Sequence, residues 1–509
     1  MSPSHEDFIR RHAAGQAQVL WRRLIDDLET PVSAFLKLGH GRPYAFLFES
    51  VEGGAWRGRY SIIAMQPELV WRCFGQTAEI AAGAAIGEQR FTRQAKPTLE
   101  SLRDLVAESR IALPDGLPPM ASGLFGVFGY DLARLVEPLG EARPDPLGLP
   151  DALLIRPALV AIFDSIAQEI LLVTVARPDG RAAEALYAEA VGRLDAAQAR
   201  LAEPLPARAT ASEPEGPQTD LVSPIGRAAY GALVETAKAY IRAGDIFQVV
   251  PSHRFSGAFA ADPFALYRSL RRINPSPFLY FLDFGDFQLV GSSPEILVRL
   301  RDGKITIRPI AGTRRRGADP AEDLALEAEL LADPKERAEH LMLLDLGRND
   351  VGRVAMLRDA GANASPETTT PRVRVTQSFA VERYSHVMHI VSNVEGDAPP
   401  GLDPVDVLLA ALPAGTLSGA PKVRAMQIID ELESVKRGLA YAGAIGYFGA
   451  DGSVDTCIVL RTGLIMDEVL HVQAGGGVVA DSDPAAEYEE TLQKSNALRA
   501  AAREAWRFP

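Results

Sequence analysis

The sequence predicts an α+β protein built on antiparallel sheets. Short apolar or alternating runs recur at hairpin-like spacing, the turn Arg301-Asp302-Gly303-Lys304 joins two of them, and helical patterns do not alternate regularly with strands as a parallel sheet requires. Taken in order, 44–48, 69–74 and 123–130 are strand-like, 152–175 reads as consecutive strands, and 182–201 is an Ala-rich helix. Residues 202–224, rich in Pro, Ala, Ser, Thr and Glu without an apolar period, read as a linker or long surface loop. Beyond it come a helix at 227–243 and a strand at 246–255. A meander follows at 278–284, 287–291 and 296–300, with later strands at 442–448, 453–461 and 469–474. The organisation is thus an N-terminal region 1–201, a linker 202–224 and a C-terminal region 225–509. No internal repeat appears.

Composition narrows the function classes. A chain of 509 residues with 47% hydrophobic and 23% charged residues can bury a sizeable core. Its net charge of -13 argues against nucleic acid and against an anionic membrane surface, and an anionic substrate would need local cations. Two cysteines, Cys73 and Cys457, exclude a disulfide scaffold and fit a reducing cytosol. The polar N-terminus has no apolar signal core, so a cytoplasmic location is expected.

Two acidic helices open alike. Asp333-Pro334 is followed by Glu336 and Glu339, and Asp483-Pro484 by Glu487 and Glu490 with Lys494 one turn on. Asp is a natural cap, Pro fits the first helical position, and each i, i+3 glutamate pair shares a face. Two facing pairs would form an oxygen cage for a hard divalent cation. The same Asp-x-x-Glu spacing also reads as a capping box, which would make Glu336 structural.

Other segments suggest anion contacts. Arg308-Pro309-Ile310-Ala311-Gly312-Thr313 ends a strand in a glycine turn, and Gly475-Gly476-Gly477 follows a strand just before the second acidic helix. Both also read as ordinary turns. Residues 415–422 fail the phosphate-loop spacing, which argues against nucleotide, but they lead into a helix at 423–432 whose start could take a carboxylate. His386 and His389, at odd offset on a strand, point to opposite faces. Arg461 is either a carboxylate-binding guanidinium or a solvated strand end.

In order, GDIFQVVPS (244–252), RPIAGT (308–313), EHLMLLDLGRND (339–350), RYSHVMH (383–389), GTLSGAPKVRAMQIIDELE (415–433), DTCIVLR (455–461) and QAGGGVVADSDP (473–484) resemble the chorismate-utilising enzymes, most closely the anthranilate synthase component I group. The match before the linker is thinner and rests on Phe48-Glu49-Ser50. The resemblance implies antiparallel sheets packed face to face with helices around them, and a Mg²⁺-dependent reaction of chorismate with ammonia that yields anthranilate and pyruvate. It implies Glu339 and Glu490 as metal ligands supported by Glu336 and Glu487. Substrate contacts fall on Gly312, Thr313, Tyr441, Arg461, Gly475, Gly476, Gly477 and Lys494, with His389 and Thr416 beside the ring.

Two positions separate the relatives. Ala311 stands where aminodeoxychorismate synthases carry a nucleophilic lysine, and Gln248 where isochorismate and salicylate synthases carry a lysine base, so ammonia is the expected nucleophile. Aminodeoxychorismate formation and a non-catalytic ligand-binding relative are the competing readings. Neither cysteine sits in a glutaminase context, so the resemblance implies a separate glutamine amidotransferase subunit, in a heterotetramer. It further implies tryptophan inhibition through Ser50, Pro277, Phe278 and Leu279, segments that otherwise read as sheet packing. Residues 357–370 look like an inserted solvent loop.

Overall fold

The computed structural model describes residues 3–50, 58–205, 220–356, 373–384 and 387–508. Two antiparallel sheets share two long strands, Tyr60–Phe74 and Ala152–Asp164. The pairing of these strands shifts register where Pro67 faces Pro157. Proline cannot donate to a ladder, so the shift falls there and lets both strands pass from one sheet into the other.

The first sheet runs Gln18–Ile25, Glu169–Ala176, the two shared strands, Phe46–Glu49, Phe278–Asp283, Phe287–Ser293, Thr462–Met466, Val469–Gly475 and Ser252–Ala258. The second runs from the other halves of the shared strands through Gly123–Phe128, Ala444–Gly449, Val454–Ile458, Ile296–Arg301 and Lys304–Ile307 to Val387–Asp397. Ile310–Arg315 and Arg374–Arg383 pair with that last strand. Each sheet therefore joins a block of strands from before the linker to a block from after it, at Phe46–Glu49 against Phe278–Asp283 in the first and at Gly123–Phe128 against Ala444–Gly449 in the second.

Side-chain alternation builds the layers. Ile62, Val160, Tyr280 and Leu289 of the first sheet meet Val127, Ile155, Ile445 and Cys457 of the second in one interior. On its outer face the first sheet packs Leu47, Ile63 and Val290 against helices Pro31–Leu38, Ala183–Ala202, Pro263–Ile273 and Pro484–Glu504. The second packs Trp71, Leu154 and Val298 against Arg227–Ala243, Pro334–Ala355, Pro404–Ala411 and Lys422–Leu432. The result is helix, sheet, sheet, helix, as the expected fold class requires. Among the described residues no helix is long and apolar enough to cross a membrane.

The hairpin expected at 301–304 forms, with Arg301 opposite Lys304 and positive φ at Asp302 (51°) and Gly303 (68°). Elsewhere boundaries differ. The strand read at 246–255 breaks at Pro251. Gln248–Val249 instead pairs with Gly419–Ala420 in a separate two-stranded sheet, while Ser252–Ala258 joins the large one. Residues 415–420 are not a loop but a helical turn, Gly415–Ser418, followed by that short strand. The strand read at 453–461 ends at Ile458, and an unanticipated strand Thr462–Met466 follows. Within the linker, Ala202 closes a helix and Val222 bridges to Ser256; 206–219 lie outside the described residues, as do 357–370 and His386.

Candidate active site

The acidic helices are capped as the sequence suggests. Asp333 accepts from the amides of Lys335 (2.9 Å) and Glu336 (3.3 Å), and Asp483 from that of Ala486 (2.9 Å). Glu336 does not close a reciprocal box, because Arg314 takes its carboxylate. The guanidinium reaches Asp333 at 2.7 Å, Glu336 at 3.2 Å and Glu329 at 2.9 Å, clamping the start of the helix.

The glutamates face one another electrostatically. Burial, then the charges of Glu336 and Glu490, hold the Glu339 carboxyl above the usual range. Glu487 is raised by burial and by Glu490, and its Oε2 is buried without a hydrogen-bond partner. Glu490 pairs with Lys494 at 2.7 Å. Among the described residues no three His, Cys, Asp or Glu side chains converge as a ready metal cage.

Each glycine motif lies against these carboxylates. Gly312 has φ +73°, and a Cβ there would stand 3.1 Å from Glu336 Oε2, so the turn needs glycine for both conformation and space. A Cβ on Gly475 would lie 2.9 Å from the Tyr441 phenol oxygen, on Gly476 2.6 Å from Glu487 Oε2, and on Gly477 2.5 Å from Gln248 Nε2. Lys494 Nζ donates to Gly475 O at 3.0 Å. The structure thus gathers Gln248, Tyr441, Gly475, Gly476, Gly477, Glu487, Glu490 and Lys494 on one side, and Gly312, Thr313, Glu336, Glu339 and His389 on the other. Glu339 and Glu490 join the two.

His389 Nδ1 lies 3.1 Å from Gly312 O and 3.0 Å from Thr313 Oγ1. A carbonyl only accepts, so Nδ1 carries the hydrogen and Nε2 is left unprotonated. Burial lowers the imidazole pKa, with Arg461 adding to the effect, which keeps the ring neutral. Arg461 is not a solvated strand end. It sits past the strand at φ 47°, burial lowers its pKa, and among the described residues its guanidinium has no acidic partner. A desolvated, uncompensated guanidinium is a strong site for a ligand carboxylate.

Thr416 leads to a residue the sequence reasoning missed. Its hydroxyl reaches both carboxyl oxygens of Glu295, at 3.4 and 3.3 Å, and burial pushes the Glu295 pKa up to about 8. A small cavity of about 30 Å³, lined by Glu295, Thr416, Leu343, Gly347 and Asp350, adjoins this pair. The available signal was a single carboxylate, in Ser292-Ser293-Pro294-Glu295, directly before the apolar run Ile296-Leu297-Val298. Across the molecule, Ser50 Oγ donates to Pro277 O at 3.1 Å and Leu279 pairs with Glu49, so the four positions expected to bind tryptophan do meet at one strand junction. Glu49 is buried there, bound by Arg271 at 2.8 and 3.0 Å and by the Tyr267 hydroxyl.

Known proteins resemble this chain over nearly its whole length. The profile of the chorismate binding enzyme family matches residues 45–500. Anthranilate synthase component 1 of Cereibacter sphaeroides is 55% identical over 506 residues, covering 99% of this chain and 98% of the relative. The Pseudomonas aeruginosa protein of the same name is 47% identical, covering 97% of each. Among solved structures, anthranilate synthase component I from Streptococcus pneumoniae superposes with a TM-score of 0.74 at 36% identity, over 94% of this chain and 99% of that one. The menaquinone-specific isochorismate synthase of Escherichia coli shares the fold, with a TM-score of 0.66 at 19% identity over 98% of each chain. The chain therefore belongs to the chorismate binding enzyme family, in its anthranilate synthase component 1 group.

Proposed function

We propose that this chain converts chorismate and ammonia to anthranilate and pyruvate, with a divalent cation held by Glu339 and Glu490 and supported by Glu336 and Glu487. The observation that carries the reading is Arg461, a half-buried, desolvated guanidinium without an acidic partner among the described residues, which with Lys494 puts positive charge at the site of an otherwise acidic protein. Together they supply the local positive charge that a dianionic substrate needs.

The carboxylates fit a hard cation. All donors are oxygens, burial and then repulsion from neighbouring glutamates raise Glu339 and Glu487, and Glu487 Oε2 is buried with nothing to bond. Mg²⁺, when bound, supplies Lewis-acid charge at the ring carboxylate of chorismate. The remaining work falls to side chains. Gln248 is buried and its Oε1 lacks a partner, so it can accept an N–H of ammonia and orient the lone pair toward the ring. Gln cannot deprotonate water, and Ala311 offers no amine, which leaves ammonia as nucleophile. Glu295, protonated near neutral pH, donates its proton to the departing 4-hydroxyl, and Thr416 orients it. Neutral His389, with Nε2 free, takes the ring proton as pyruvate leaves.

The ammonia source is a separate subunit. Both thiols, Cys73 and Cys457, are buried and their pKa values are pushed up by burial, the opposite of an activated glutaminase nucleophile. The relatives are named component 1, in keeping with a second component, which we assign as a glutamine amidotransferase in a heterotetramer. Tryptophan, as end product, binds at Ser50 and Pro277–Leu279 and inhibits. The test is purified chain with chorismate, Mg²⁺ and high ammonium, read by anthranilate fluorescence and pyruvate release. Chorismate consumed without either product refutes the reading.

A further inference from the structure

Arg437 lies outside every motif used above, yet it is enclosed at the centre of the site. Its side chain is 1% exposed and that of Glu433 5%. Nε and Nη2 grip Glu433 at 3.0 and 2.6 Å, while Nη1 donates to Leu417 O at 2.8 Å and Nη2 to Val250 O at 2.7 Å. The guanidinium carbon sits 4.6 Å from the Tyr130 ring centre and 5.3 Å from that of Tyr441. Glu433 Oε1 in turn accepts from Ser252 N (2.8 Å) and Ser252 Oγ (2.9 Å), and Ser252 is the ladder partner of Gly475.

Each of these partners adjoins a residue of the site. Leu417 follows Thr416, Val250 is two residues past Gln248, Tyr441 touches Gly475, and Ser252 faces Gly475 across the sheet. The Thr416 turn and the Gln248 strand are short elements, Gly415–Ser418 and Gln248–Val249, too brief to hold their own geometry. A rigid fork bonding a carbonyl on each fixes their separation.

We infer that Arg437, held by Glu433, is a positioning residue that sets Thr416 and Gln248 against each other across the reacting ring. The inference rests on the function proposed above. It makes a specific demand: losing the pair should damage the chemical step more than carboxylate binding, because among the described residues Arg437 and Glu433 bond neither Arg461 nor Lys494, whereas Arg437 bonds the Thr416 and Gln248 segments directly.

The test exploits the fact that buried ion pairs can often be replaced by apolar side chains without loss of stability. Glu433→Met/Arg437→Met removes both charges together. Thermal unfolding, near-UV circular dichroism and ammonia-dependent kinetics are measured per folded molecule. We expect a folded double variant whose kcat falls about 100-fold, the scale of a misplacement near 1 Å, while KM for chorismate stays within about threefold. Arg437→Lys, which keeps the charge but not the planar fork, should show the same split. Wild-type kcat in either folded variant overturns the inference, as does a KM rise without a kcat loss. If neither variant folds, the pair is a stability element and the inference is likewise overturned. Wild-type chain that forms no anthranilate in the parallel assay refutes the proposed function instead, which keeps the two failures apart.

Discussion

Glu295→Gln should sharply reduce turnover and at the same time stabilise the folded chain. Burial pushes this carboxyl from its usual 4.5 up to about 8. Between those values the folded state keeps a proton that the unfolded chain releases, so the contribution of Glu295 to stability is fully present below pH 4.5 and is lost as pH rises toward 8. At about 1.36 kcal/mol per unit, the loss at pH 7 is about 3 kcal/mol. Gln fills the same space and has no proton to lose, so the variant escapes the decline. For a chain of this length the gain corresponds to a midpoint rise of roughly 3 °C at pH 7, shrinking to nothing at pH 4.5. Turnover should fall by about 10² to 10⁴, the usual contribution of a positioned acid, and wild-type turnover should itself fade above pH about 8 as Glu295 ionises. Paired melting curves at pH 4.5 and 7.5, with ammonia-dependent kinetics, decide the matter. Retained turnover removes Glu295 from proton transfer, and an equal stability gain at both pH values shows that ionisation is not its cause.

The other predictions concern the metal, the substrate and the regulatory junction. Glu339→Ala and Glu490→Ala should each eliminate turnover, and chelation of wild type should do the same reversibly on adding Mg²⁺; activity surviving in either variant takes that glutamate out of the ligand set. Lys494→Met should raise KM for chorismate about tenfold or more through loss of a charged hydrogen-bond donor, measured by initial rates. Gly312→Ala forces a side chain into φ +73° beside Glu336 and should cost about 1–2 kcal/mol in urea unfolding; an unchanged midpoint would mean the turn relaxes freely. Ser50→Phe should leave basal kinetics intact while relieving tryptophan inhibition, and persistent inhibition places the effector elsewhere.

Much of this site could be read from the order of residues because its chemistry is concentrated in short motifs. Asp-Pro caps, the Gly312 turn and the 475–477 glycines each have a local cause that survives without knowing the fold. Strands of the meander were legible through alternation, and the 301–304 hairpin through Asp-Gly. Boundaries failed where a local break competed with an apolar run, as at Pro251. Glu295, Arg314 and Arg437 were invisible for another reason. Each matters through what tertiary packing puts around it: burial for Glu295, the capped acidic helix for Arg314, two carbonyls from distant segments for Arg437. Nothing in their own neighbourhoods encodes those partners.

The weaving of both sheets from both ends of the chain also governs how the molecule comes into being. Phe46–Glu49 waits for Phe278–Asp283, and Gly123–Phe128 for Ala444–Gly449. During synthesis the early strands leave the ribosome with open edges whose partners are hundreds of residues away. The first sheet cannot be completed until Val469–Gly475 has emerged, nor the second until Val454–Ile458 has. Such distant pairing slows folding and leaves apolar edges open to other chains. Yield in a heterologous host should therefore depend more on temperature and chaperone supply during translation than on the stability of the finished protein.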